Sequence, residues 1–195
     1  MSGIGFLDSP ETTDEIKVFF DEDVADRGYV MNLSRLWAYQ PGTHHALFDL
    51  MQAATAGHGL DVRRRRILVA ACASTLGDAY CSLAWGGKLA AASDAETASG
   101  VIRGVDDRLS PREAAMADWA RMVARDPNGT SRSDVQALRE VGFTDAEIFA
   151  ITVFVTLRLA FSTVNDALGV APDAELRSAT PEAVLDAVTF GRSID

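Results

Sequence analysis

The 195-residue sequence predicts an all-α fold. Helix start and stop signals recur along its whole length. No long stretch alternates polar and apolar residues with the period of two that a half-buried strand shows. Apolar residues make up 48% of the chain, enough for a sizeable core in a single domain over 1–195. The join between the halves, VDDRLSPRE at 105–113, is too short to act as a flexible linker.

Residues 1–10 are expected to form a flexible N-terminal segment. An amphipathic helix is predicted over 11–26, stopping before Gly28, and a short one near 33–39. Pro41 suits the first turn of the next helix, because its missing N–H has no helical partner there. That helix runs to about Ala56, where Gly57 and Gly59 break it. Residues 61–76 carry Arg63–Arg66 followed by ILVAACASTL, and Gly77 ends the run. Asp78 is then placed as the N-cap of a helix to about 92, its carboxylate able to accept an orphan backbone N–H. A small helix is expected over 94–103.

The second half has cleaner punctuation. Ser110-Pro111-Arg112-Glu113 is a capping box with proline at the first helical position, opening a helix to about Arg125. Ser131 with Asp134 opens another, closed by Gly142, and Thr144 with Glu147 opens the longest, about 145–168. Thr180-Pro181-Glu182 opens a final short helix. The 145–168 helix is apolar over most of its circumference, which suits either a bundle centre or a subunit interface.

Composition excludes several function classes. With 28 acidic and 18 basic residues the net charge is −10, a field that repels phosphate backbones, so no nucleic-acid partner is expected. No apolar run is read as reaching the ~20 residues that span a bilayer, so no membrane is expected either. MSGIGFLDSPETTDE lacks a basic and then apolar leader, and a cytoplasmic location is expected. The two cysteines, Cys72 and Cys81, cannot make a disulfide scaffold. Nine helical residues separate them by ~13 Å of rise, too far for a disulfide. His44, His45 and His58 have no metal-ligand spacing, and neither a metal nor another cofactor is expected. GIG at 3–5 follows no strand, which argues against a nucleotide loop.

GDAYCSLAWGGKLA, residues 77–90, carries the candidate chemistry. With Asp78 as N-cap, Cys81 lies in the first helical turn, where orphan N–H groups and the helix dipole favour a thiolate. Asp78 opposes this, since a nearby carboxylate raises a thiol pKa. Trp85, four residues on, covers the same face, excludes water and accepts no proton. From chemistry alone, Cys81 is either a functional thiol or a small core residue.

Together these segments resemble the alkylhydroperoxidase-D-like family, also called the carboxymuconolactone decarboxylase family, and within it the peroxidase-related branch. The resemblance runs through RGYVMNLSRLWAYQPGTHHALFDLMQA, RRRRILVAACASTLGDAYCSLAWGGKLA, LSPREAAMADWARMVARDP, VQALREVGFTDAEI and STVNDALGV. It implies a helical bundle that assembles as a homodimer, trimer or hexamer. It also implies a site of Cys-x-x-Cys, a histidine four residues later and a glutamate on the preceding helix. Those four positions fall here on Asp78, Cys81, Trp85 and Arg66, so only Cys81 is retained. A two-cysteine disulfide cycle is therefore impossible, no imidazole shuttles protons at 85, and a permanent cation replaces the base at 66. The opposite charges of Arg66 and Asp78 suggest an ion pair joining the two motif helices, and Arg66 is a candidate cation for the thiolate. The implied activity is reduction of a small peroxide through Cys81 alone, with an external thiol as reductant. The alternatives are a non-catalytic scaffold or small-ligand binder with Trp85 filling the site, and a lyase of the lactone-decarboxylase type.

Overall fold

A computed structural model describes residues 5–194. Its helices in order are α1 (Asp14–Arg27), α2 (Asn32–Trp37), α3 (Pro41–Thr55), α4 (Val62–Leu76), α5 (Ala79–Ala92), α6 (Ala95–Arg103), α7 (Pro111–Arg125), α8 (Arg132–Glu140), α9 (Asp145–Ala167), α10 (Glu175–Ala179) and α11 (Glu182–Leu185). A single 3-10 turn lies at Pro127–Gly129, and there is no β-strand element among the described residues.

The caps form where the side chains allow. Thr13, Asp61, Asp78, Asp94, Ser110, Ser131 and Thr144 each accept a backbone N–H at the start of a helix. Glu113, Asp134 and Glu147 each reach back to the cap residue's own N–H and complete a capping box. The first helix starts three residues later than expected, because Thr13 takes the cap. The C-terminal region departs further. Helix α10 was unforeseen, and Thr180 does not cap α11; it is buried instead beside Gly87 of α5.

Helix α4 is the axis of the bundle, packed against α5, α6, α7 and α9. Residues Ile67 to Ala73 are all at most 1% exposed. The run of Ala70, Ala71, Cys72 and Ala73 keeps that surface thin, so neighbouring helices approach closely. Gly77 adopts φ 86°, the left-handed conformation that ends α4 and turns the chain back into α5.

Helix α9 has 23 residues and is the one helix among the described residues long and apolar enough to cross a membrane by length and composition. That corrects the expectation that no run reaches such a length. The helix packs on α3, α4, α7 and α8, and carries a buried arginine, Arg158, in its middle. Its inner face is core, with Ile151 and Val155 at 0% exposure, while Phe149 on the outer face is 72% exposed. Of the expected flexible segment, residues 1–4 lie outside the described residues. Beyond them, the Phe6 N–H donates to the Leu168 carbonyl at 2.9 Å, and the Tyr39 hydroxyl to the Asp8 carbonyl at 2.8 Å.

Candidate functional site

The site grows from the α4–α5 turn. Asp78 is fully buried, and its Oδ1 accepts the Cys81 N–H at 2.9 Å, which fixes Cys81 as the third residue of α5. The second oxygen, Oδ2, has no hydrogen-bond partner among the described residues. Cys81 itself is 2% exposed. Its sulfur accepts a hydrogen bond from Arg158 Nη2 at 3.5 Å. Trp85, one turn on, stacks under the same guanidinium, whose Cζ lies 4.9 Å from the ring centroid.

Two chambers meet at this point. The inner one, about 150 Å³, is lined by Cys81, Tyr80, His44, Leu33, Phe161 and Arg158 among others. The outer one, about 450 Å³, is lined by Arg65, Arg66, Met51 and Phe154. Phe48, Trp85, Lys88 and Arg158 face both and form the partition between them. The Cys81 sulfur therefore sits on a cavity with a polar neighbour rather than sealed in hydrocarbon.

Burial pushes the Cys81 thiol well above its ordinary range and Asp78 pushes it further, while Arg158 and Ser162 pull it down. The resting group is a protonated thiol. Cys72, free and fully enclosed, is pushed up to about 12, chiefly by burial, and its sulfur bonds only to its own helix at the Val69 carbonyl. His44 is lowered to about 4, by burial and then by His45, and is a neutral imidazole at neutral pH. Lys88 is lowered to about 8, by burial and then by Arg27 and Arg158.

Of the four motif positions, the structure brings Asp78, Cys81 and Trp85 together and leaves Arg66 apart. The expected Arg66–Asp78 pair is not formed. Arg66 Nη1 donates to the Lys88 carbonyl at 2.9 Å. The reason is axial rise. Arg66 lies ten residues before the end of α4 and Lys88 ten beyond Asp78, each about 15 Å from the turn. In an antiparallel hairpin those two are level, and Asp78 is at the other end. The cation beside the sulfur is Arg158, which sequence reasoning missed. Its signal was a lone arginine inside IFAITVFVTLRLAF, a charge with no place on an apolar helix unless it faces something.

His44 was missed too. Its sequence spacing from His45 and His58 fits no metal site, yet it packs edge-on against Phe19, Trp37 and Phe161 and borders the cysteine's cavity. The adjacent His45 points elsewhere and bonds Glu22 at 2.9 Å, as 100° of helical rotation demands. Among the described residues no cluster of His, Cys, Asp or Glu is placed to hold a metal.

No family model and no curated protein matches the sequence. Solved structures do. An uncharacterized peroxidase-related protein from Silicibacter sp. TM1040 superposes with a TM-score of 0.76 at 22% identity, over 90% of this chain and 96% of that one. An alkylhydroperoxidase AhpD core protein from Ralstonia eutropha JMP134, also peroxidase-related and uncharacterized, gives 0.74 at 24% identity over 100% of both chains. The debrominase Bmp8 gives 0.71 at 14% identity over 90% and 92%, and a variant of it has been solved with 2,3,4-tribromopyrrole. At these identities the likeness speaks to architecture: the chain has the alkylhydroperoxidase AhpD-like fold.

Proposed function

We propose that the protein is a one-cysteine, thiol-dependent oxidoreductase that reduces small organic hydroperoxides. The observation that carries this reading is the Cys81 sulfur, 3.5 Å from the Arg158 guanidinium on the wall of a cavity of about 150 Å³. In the first half-reaction the sulfur attacks the outer peroxide oxygen. An S–O bond forms, the O–O bond breaks, and the sulfur loses two electrons to become a sulfenic acid. The proton leaving the sulfur ends on the departing alkoxide, so an alcohol is released with no net proton consumed. Arg158 stabilises the sulfur as it gains negative character. In the second half-reaction an external thiol condenses with the sulfenic acid and water leaves. A second thiol then breaks the mixed disulfide and restores Cys81. Asp78 holds the first cysteine position of the motif and supplies no resolving thiol.

The test is turnover of cumene hydroperoxide with dithiothreitol as reductant. Peroxide consumption above the uncatalysed rate is expected for the native protein and for Cys72→Ser, and its loss for Cys81→Ser. Equal rates with and without protein contradict the proposal. A second reading, a non-catalytic binder of small ligands, is favoured by one observation: Cys81 is only 2% exposed, and its burial and the neighbouring Asp78 both push the thiol pKa up. It predicts ligand binding with no turnover of cumene hydroperoxide or of 2,3,4-tribromopyrrole, the compound held by the Bmp8 variant.

A further inference from the structure

Arg158 is a buried cation without an ion pair among the described residues. The residue is 2% exposed. A guanidinium has five N–H donors. Here its hydrogen bonds go to two sulfur atoms, Cys81 Sγ at 3.5 Å and Met51 Sδ at 3.9 Å, both weak acceptors, and its Nε is buried with no partner. Three aromatic rings, those of Trp85, Phe161 and Phe48, surround it at 4.9, 5.1 and 5.8 Å. Among the described residues no carboxylate lies within ion-pair distance of it. A buried charge is ordinarily paired, because an unpaired one is strongly penalised.

The surroundings repeat the pattern. Arg65, Arg66 and Lys88 line the outer chamber, and none of them has an ion pair among the described residues. Among the described residues, Asp49 is the one acidic residue on that wall. Four cations thus converge on one opening in a protein whose net charge is −10. Besides the shared Lys88 and Arg158, the inner chamber carries the polar groups of Arg27, Tyr29, His44, Tyr80, Cys81 and Asp173 on otherwise apolar walls, and its volume of about 150 Å³ equals that of engineered cavities known to hold benzene.

We infer that this site binds a small aromatic monocarboxylate, its ring in the inner chamber against Leu33 and Phe161 and its carboxylate on the unpaired guanidinium of Arg158, with Lys88 beside it. The inference deepens the reading above by naming the occupant of the same site, and it rests on that reading only for the role of Cys81. A carboxylate matches the planar fork of arginine, and the rings of Trp85, Phe161 and Phe48 around the guanidinium supply no competing acceptor oxygen. A bound ring would also cover the Cys81 sulfur.

The test uses benzoate and its neutral isostere benzamide, titrated into the reduced protein by calorimetry, with alkylation of Cys81 by iodoacetamide as a second readout. Benzoate is expected to bind at least about tenfold more tightly than benzamide, the scale of a buried charge-assisted hydrogen bond, and to slow Cys81 alkylation as it saturates. Lys88→Met, at a half-buried position, is expected to weaken benzoate more than benzamide and so to reduce the preference between them. Arg158→Met is expected to abolish the preference. The native comparison and Lys88→Met decide the matter even where the Arg158 variant does not fold. Equal binding of the two probes, or no binding of benzoate at millimolar concentration, overturns the inference. Benzoate binding does not depend on sulfur chemistry. Cys81→Ala that binds benzoate normally, beside a native protein that turns over no peroxide, would retire the oxidoreductase reading and keep this one.

Discussion

Asp78 does two opposing things at a single position. Its Oδ1 caps α5 and so places Cys81 in the first turn, while its charge holds the Cys81 thiol protonated. Asparagine caps helices as well as aspartate but carries no charge. Asp78→Asn is therefore expected to keep the fold and lower the thiol pKa, making iodoacetamide labelling of Cys81 several-fold faster at about pH 7. In the native protein that labelling rate should still climb between about pH 8 and pH 10, where free cysteine, with a pKa near 8.5, is levelling off. A native profile identical to that of free cysteine would contradict the buried-thiol geometry. Asp166, on the last turn of α9, gives a stability counterpart. Its carboxyl is raised from 3.8 to about 6 by burial and then by Asp78. The folded state holds the proton more tightly than the unfolded chain, so this contribution is full below pH 3.8 and is lost as pH rises through about 6. Asp166→Asn should raise the melting temperature at about pH 7.5 and lose that advantage near pH 4, which calorimetry at the two values would check.

At the scale of elements, helices with a side-chain cap or an initial proline were readable, and the short α10, which has neither, was not. Ser110, Ser131 and Thr144 announce their helices through short-range chemistry that tertiary packing leaves intact. Helix α10 has no capping side chain and five residues, and its existence depends on what it packs against. The Arg66–Asp78 pair failed for a related reason: charge complementarity was read from the sequence without the register of the hairpin, which sets what is level with what. The close fit of α5 is another feature visible only in three dimensions. A Cβ at Gly86 would lie 2.7 Å from Val184 Cγ1 and 2.8 Å from Ile102 Cδ1. Alanine normally stabilises a helix by about 1 kcal/mol over glycine. Gly86→Ala is expected instead to destabilise the protein by about 1 kcal/mol or more in urea unfolding, since overpacking outweighs propensity. A stabilised variant would mean that α6 and α11 yield to α5 easily.

At the scale of the molecule, the fold was legible because its periodicity and punctuation agree, and the site only in part. Asp78, Cys81 and Trp85 lie within eight residues of one another, a distance over which helical spacing predicts proximity. Arg158 and His44 reach the same cavity from α9 and α3, and no local pattern connects residues 77 positions apart. The outer face of α9 raises the question of assembly. Phe149, Val153, Thr156, Ala160 and Thr163 recur at three- and four-residue spacing without a charge among them, and Phe149 is largely exposed. We propose that this stripe is a contact between copies of the chain. Sedimentation of the native protein above the monomer mass, reduced towards 20.9 kDa by Ala160→Glu, is the expected result. A native monomer would contradict it.

Peroxide reduction at this site requires the Cys81 sulfur to be reachable and reactive within its chamber. The direct measurement is intact-mass analysis of the reduced protein after brief exposure to cumene hydroperoxide with dimedone present. One dimedone adduct per chain, retained in Cys72→Ser and absent in Cys81→Ser, is the predicted result. No adduct on the native protein, or an adduct that persists in Cys81→Ser, would contradict it.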